Sequence, residues 1–437
     1  MAQDYAIFQE RRRQLAKQLD NGIVILPTAL EYVRNAHTNF PFRADSHFYY
    51  LTGFDEPASV LVLQIASGNI SQSVLFCRPS FPEKEIWDGP RFGLQKAKDL
   101  LGFDKTIDIA EFDRELPLLL QNMDCLYYPF NMNPLWQNRL MQHLNQLKSA
   151  QKPDDHYPDG TQNIQNILAA MRLIKDDTEI ERMKTAAQIS SLAHLHTMAK
   201  SRPDDFEYEL EAELLYQFRK QGAMAPAYPS IVASGPSACI LHSVANNRQI
   251  FAGDLVLIDA GCEYQYYASD ITRTWPIDGH FTAAQKDIYQ LVLNAQLAAI
   301  DAVKPGNAAD APHQAAVKVL SQGLIDLGVL TDSLDTVLEN ELYKRFYMHR
   351  TSHWIGLDVH DVGPNMSAEP KPVLIPNQLL TIEPGLYFPD DEDILPAYRH
   401  MGIRIEDTLL VTQTGHENIT KKAPKTMNEL ENIIGQG

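Results

Sequence analysis

Asp259 ends the apolar run LVLID, and Asp270 follows eleven residues later inside ASDITRTW. A strand that fills a core has little use for such acids, because an ionised carboxylate buried without a partner must be neutralised or compensated. A turn centred on Tyr264 and Gln265 would fold 255–275 into a hairpin with Asp259 directly opposite Asp270. That puts like charges about 4.5–5.5 Å apart at Cβ, which is destabilising. Taken alone, Asp259 reads equally well as a strand-end acceptor of backbone hydrogen bonds, and Asp270 as a solvent-facing acid. A divalent cation between them is a remedy that suits both at once.

Other acids and imidazoles stand in the same apolar context. MHRTSHWIGLDVHDVG carries His349, His353 and His360, LLTIEPGLYF carries Glu383, and MGIRIEDTLLV carries Glu406. Singly, such a histidine is an ordinary hydrogen-bonded structural residue, and a glutamate before proline simply ends a strand. Together they supply four carboxylates and at least one imidazole, and four negative charges match two divalent ions. Oxygen ligands with one nitrogen suit Mn²⁺, Co²⁺, Fe²⁺ or Zn²⁺ better than a thiolate-type zinc site does. Two such ions, ~3.5–4 Å apart, point to hydrolysis by an activated water.

The elements that must position these groups divide in two. Residues 1–150 read as a mixed α/β domain, with helices over FQERRRQLAKQL and LWQNRLMQHLNQLK. GIVILP, FYYLTGF, SVLVLQI, SVLFCRP and CLYYPF read as strands, each rich in β-branched or aromatic residues. Residues 151–172, opening on QKPDDHYPDGTQ, read as a linker, because polar residues with Pro and Gly break regular structure. From 173 to 437 a second domain follows. Its first helix begins at Asp176 and Glu179, a capping-box spacing, and further helices are expected near 206–222 and 282–303. Strand-rich segments lie at 229–241, 254–275, 379–388 and 402–413. Helices segregated from a largely antiparallel sheet make this domain α+β.

A chain of 437 residues exceeds the usual single core. A net charge of −18 argues against nucleic acid as a partner, since phosphate contacts need a basic surface. Cys77, Cys125, Cys239 and Cys262 have no CxxC spacing and read as reduced thiols. No apolar h-region follows the basic N-terminal stretch, and no run approaches the ~20 apolar residues of a membrane helix. A soluble cytoplasmic protein with no membrane partner is the expectation.

In the order Asp259, Asp270, His353, Glu383 and Glu406, the motifs IDAG, SDITRTW, SHWIGLDVHD, TIEPGLY and GIRIEDT resemble those of the pita-bread metallopeptidases. PFRADSHFYYLTGFDEP and EIWDGPRFG extend the likeness to the N-terminal domain of the aminopeptidase P family, so it spans nearly the whole chain. The resemblance implies a pita-bread catalytic domain behind a mixed α/β domain, and two metal ions, most often Mn²⁺, with Co²⁺, Zn²⁺ or Fe²⁺ as substitutes. The implied ligands are Asp259, Asp270, His353, Glu383 and Glu406. Glu383 would also move the proton of the attacking water, and His360 would stabilise the oxyanion. His242 in CILHSVANN and His349 would line the substrate cleft, with Arg404 and Tyr387 backing ligands and substrate. The implied substrate is a peptide with proline in second place, and the implied assembly is a dimer or tetramer. Prolidase, which takes Xaa-Pro dipeptides, and a silent peptide-binding module are the alternatives. Two departures stand out: Arg350 follows His349 where the family often has glycine, and Ser243 follows His242 where an aromatic is common.

Overall fold

The computed structural model describes residues 5–130 and 132–436 and contains two compact units, Met1–Met171 and Arg172–Gly437. In the first, six strands form one mixed sheet in the order Lys105–Asp108, Asn69–Cys77, Val60–Ala66, Gly22–Pro27, Cys125–Tyr128, Gly160–Asn163. Its three central members pair antiparallel, and the outer connections are parallel. Ile23, Ile25, Val62, Val74 and Phe76 point into a core closed by helices Phe112–Leu120 and Pro134–Ala150.

Two sequence expectations fail in this unit. FYYLTGF, read as a strand, lies mostly in the helix Ser46–Thr52. The Asp45 side chain caps it by accepting a hydrogen bond from the Phe48 amide at 2.9 Å, and Gly53 ends it in a left-handed conformation at φ 63°. Its aromatic residues are buried on several sides, so packing overrides β propensity. The expected linker also contributes structure: Gly160–Asn163 pairs with Cys125–Tyr128 as an edge strand. An edge strand needs only backbone hydrogen bonds, so its polar sequence did not forbid it.

In the second unit, helices Asp177–Lys200 and Glu207–Lys220 precede one group of strands, and Ala283–Asp301 and Ala311–Asp326 precede another. Capping boxes at Asp176/Glu179 and Thr282/Gln285 start the first and third of these helices. The strand pairs of this unit among the described residues are antiparallel, among them Leu255–Asp259 with Ile231–Ser234 on one side and Thr272–Pro276 on the other, Leu379–Ile382 with Asp407–Val411, and Gly385–Phe388 with Met401–Arg404. Helices pack against these short strands around one apolar core, the α+β arrangement expected.

The hairpin differs from expectation by one turn position. Gln265 and Tyr266 occupy its centre with φ of 48° and 73°, Tyr264 pairs with Tyr267, and Asp259 faces Thr272 instead of Asp270. Positive φ at both central residues is the type I′ geometry that matches strand twist. The register moves by two residues, so both acids stay on one face, because side-chain direction has a period of two. Between them a Cβ on Gly261 would lie 1.7 Å from the Ser269 carbonyl oxygen, so only glycine permits this close approach.

Candidate metal centre

Asp259 sits at the end of the central strand Leu255–Asp259, and Asp270 just before Thr272–Pro276. Glu406 lies between Met401–Arg404 and Asp407–Val411, and its amide donates to the Thr272 carbonyl at 3.0 Å. Glu383 follows Leu379–Ile382, its amide bonded to the Thr351 carbonyl at 2.8 Å. Strand ends from three sheets thus converge, and all the predicted site residues except Tyr387 line one cavity of about 510 Å³.

One oxygen or nitrogen from each of Asp270, His353 and Glu406 lies within 4.8 Å of the others. His353 Nδ1 is 3.0 Å from the Trp354 carbonyl, which can only accept, so Nδ1 carries the hydrogen. The lone pair of Nε2 then faces Asp270 Oδ2 at 3.4 Å and Glu383 Oε1 at 3.7 Å. Lone pairs aimed at carboxylates repel unless a proton or a cation stands between them. Tyr228 poses the same difficulty: its single hydroxyl hydrogen meets both Asp259 Oδ1, at 2.7 Å, and Asp270 Oδ1. This donor set fits a divalent metal site.

Electrostatics separates the four acids. Burial, then the charge of Asp259, pushes Asp270 well above the ordinary carboxylate range. Burial, then Asp270 and Asp259, does the same to Glu406, and burial, then Glu406, to Glu383. Asp259 alone lies below that range. Burial works against its charge, but the Arg404 cation and the hydrogen bonds from Tyr228 and Arg404 together outweigh it. Arg404 Nη2 donates to Asp259 Oδ2 at 2.7 Å, Nη1 to Tyr387 Oη at 2.9 Å and Nε to Thr272 Oγ1 at 3.2 Å. No group among the described residues donates a hydrogen bond to the Glu383 carboxylate; its nearest cation candidate, His349, stays 3.6 Å away.

The histidines fall into distinct settings. His360 packs edge-on to His353 with ring centres 4.3 Å apart, and desolvation, then His353 and His242, lowers its pKa. The segment carrying it is anchored through Asp361, which binds Arg172 Nη2 at 2.5 Å and Lys175 Nζ at 3.1 Å in a fully buried cluster. A Cβ at Gly356 would stand 2.1 Å from that carboxylate, so the tight loop requires glycine. His242 is exposed on the cavity wall. His349 is driven down to about 3 by burial and then Arg404, so it is neutral, and its contact with Glu383 is not an ion pair. Tyr387, expected near substrate, is 1% exposed and stands behind His349, with its hydroxyl 2.8 Å from Nε2. Its ring packs with Ala233, Ala238 and Leu257, which keeps it out of the cavity wall.

Sequence reasoning missed Tyr228, since a tyrosine in AYPSIV has no unusual spacing. It also missed His194, whose Nε2 bonds the Ala260 carbonyl at 2.9 Å behind Asp259. It lies in the helix Asp177–Lys200, where nothing in the sequence sets it apart.

Comparison with known proteins shows what the chain is similar to. Residues 181–413 match the model of metallopeptidase family M24, and residues 8–127 match the aminopeptidase P N-terminal domain. The Xaa-Pro aminopeptidase of Haemophilus influenzae is 40% identical, over 98% of this chain and 96% of its own length. Among solved structures, the Pseudomonas aeruginosa aminopeptidase PepP superposes with a TM-score of 0.95 at 44% identity, covering 98% of this chain and 97% of that one. A zinc-substituted Escherichia coli aminopeptidase P in complex with product gives a TM-score of 0.96 at 37% identity, covering 99% and 98%.

Proposed function

The chain belongs to metallopeptidase family M24, with an aminopeptidase P N-terminal domain ahead of the catalytic unit, and we propose that it hydrolyses the peptide bond between an N-terminal residue and a penultimate proline. The observation that carries this reading is the set of converging, mutually repelling candidate ligands Asp270, His353 and Glu406 at the wall of a peptide-sized cavity. Full-length likeness to Xaa-Pro aminopeptidases favours this activity over prolidase.

Asp259, Asp270, His353, Glu383 and Glu406 are the proposed ligands of two divalent ions, Mn²⁺ first among the candidates. When bound, such ions supply a water of lowered pKa and polarise the scissile carbonyl. Glu383, free of hydrogen-bond donors, accepts the proton of the attacking water and passes it to the departing proline nitrogen. His360 donates to the carbonyl oxygen as negative charge develops there. Arg404 holds Asp259 ionised and in place. The proline ring is received by the apolar wall of Ile231, Leu241, Val244 and Val359, beside His242 and His349. No helix among the described residues is long and apolar enough to cross a membrane, and a cytoplasmic dimer or tetramer completes the proposal.

The test is hydrolysis by metal-stripped protein, with and without Mn²⁺, of Xaa-Pro-Yaa, Xaa-Pro and Xaa-Ala-Yaa. Metal-dependent release of the first residue from Xaa-Pro-Yaa alone is the expected result. Cleavage of the dipeptide alone would move the enzyme to prolidase chemistry, and cleavage of none would remove the activity.

A further inference from the structure

Three cationic side chains line the catalytic cavity and the two smaller cavities beside it: Arg404, Lys344 and Arg350. Arg404 is committed to Asp259, at 2.7 Å, and Lys344 to Glu341, at 2.5 Å. Arg350 borders all three cavities, is exposed, and among the described residues has no carboxylate within ion-pair distance. The acids that share the two smaller cavities with it are already taken: Asp310 by Lys371 at 2.6 Å, Asp361 by Arg172 and Lys175, and Glu341 by Lys344.

An uncommitted guanidinium matters here because everything else in the cavity that carries net charge is acidic or neutralised. The acids draw a peptide's amine inward. The peptide then runs outward at ~3.3 Å per residue, so groups beyond the proline pass the cavity wall. Arg350 immediately follows the wall residue His349, whose Nδ1 is fixed on the Arg350 carbonyl at 2.8 Å. Its side chain presents a flat fork of donors suited to a carboxylate. We infer that Arg350 is a subsite for a carboxylate carried downstream of the penultimate proline, either the terminal carboxylate of a tripeptide or an acidic side chain in third place. The enzyme therefore favours short or acidic Xaa-Pro peptides. This inference rests on the aminopeptidase reading above.

The experiment compares kcat and KM of the Mn²⁺-loaded full chain on four peptides: Ala-Pro-Ala as free acid and as amide, and Ala-Pro-Glu-Ala and Ala-Pro-Gln-Ala, both amidated. For a half-solvated ion pair, the carboxylate partner of one or both pairs should be favoured about fivefold, mainly through KM. Arg350→Gln should bring that ratio to about one, and Arg350→Lys should retain part of it. Raising the ionic strength should shrink the wild-type ratio. Preference for the free acid alone identifies the terminal carboxylate as the ligand, and preference for glutamate alone identifies the side chain. Ratios near one in the wild type, or ratios that survive Arg350→Gln, overturn the subsite and leave the aminopeptidase reading intact. Failure to cleave the amides as well as the acids overturns both.

Discussion

Glu406 and Asp407 are neighbours in sequence, both essentially buried, and they have opposite fates. Asp407 meets Arg273 Nη2 at 2.7 Å, Lys425 Nζ at 2.6 Å and Gln296 Nε2 at 3.0 Å. Burial opposes its charge, but Arg273 and Lys425 outweigh that opposition and hold it far below the usual carboxylate range. Glu406 faces the other way, with the Thr272 hydroxyl at 2.8 Å and two more acids beyond, and its pKa is pushed far up. The protein spends its own cations on the structural acid and leaves the other without one, as the metal site proposed above requires. Between these two neighbours, compensation by the chain itself, more than burial, makes the difference.

Substitutions on the two sides should dissociate activity from stability. Glu383→Gln should lower kcat by roughly 10²–10⁴ as the proton acceptor is lost. Glu406→Gln should weaken metal binding by more than the ~10–100-fold typical of groups that only support ligands. Both variants should unfold, as metal-free protein, no more easily than the wild type, because each removes a buried repulsion. Asp407→Asn should do the reverse. It strands Arg273 and Lys425, and denaturant titration should show a loss of ~3–5 kcal/mol. Activity per folded molecule should change far less. Equal loss of stability in Glu406→Gln would erase the distinction.

Acidity gives a second handle. In metal-free protein the folded-state pKa values of Asp270, Glu383 and Glu406 lie above the ~4 of unfolded chains. The folded form therefore holds more protons than the unfolded form, and stability falls as pH rises from ~4 through the raised values. The slope is ~1.4 kcal/mol per pH unit for each proton of difference. Asp407 has the opposite sign: its stabilisation is complete above the ~4 of unfolded carboxylates and is lost as pH falls from there through its depressed pKa. Thermal unfolding of chelator-treated protein between pH 5 and 8 should show Tm declining with pH, and Mn²⁺ should flatten that decline. Calorimetry in buffers of different ionisation enthalpy should detect protons released as Mn²⁺ binds. Metal binding without proton release would contradict the raised values.

This contrast also explains what could be read in the sequence. Asp259, Asp270, Glu383 and Glu406 were visible because an acid in an apolar run is an anomaly, whether or not the hairpin register is right. Arg273 and Asp407 formed no visible pair, since their meeting depends on two strands distant in sequence. Tyr228 was hidden because its importance lies in one hydroxyl reaching two acids, a matter of position only. The same holds for FYYLTGF, where Asp45 and Gly53 at the ends outweighed the aromatic composition between them. Local chemistry was legible wherever it broke a local rule; contacts that obey every local rule needed the fold.

The smallest effect tests how far the Arg404 compensation extends. Arg404 links Asp259 to Tyr387, and the Tyr387 hydroxyl lies 2.8 Å from His349 Nε2. His349 Nδ1 already donates to the Arg350 carbonyl, so Nε2 must accept, and the tyrosine hydrogen points at it while the tyrosine oxygen accepts from Arg404. The direction of every bond in this chain is therefore set, and His349 is held neutral with one tautomer at the cavity wall. Tyr387→Phe removes both bonds without emptying volume. With one of the two bonds bearing on the reaction at a net ~0.5–1.5 kcal/mol, kcat/KM should fall by about two- to tenfold. The loss should fall on KM if His349 contacts the substrate, and on kcat if Arg404 shifts and Asp259 loses its partner. Unchanged values of both would mean that the compensation ends at Arg404, and that His349 needs no partner beyond its own backbone.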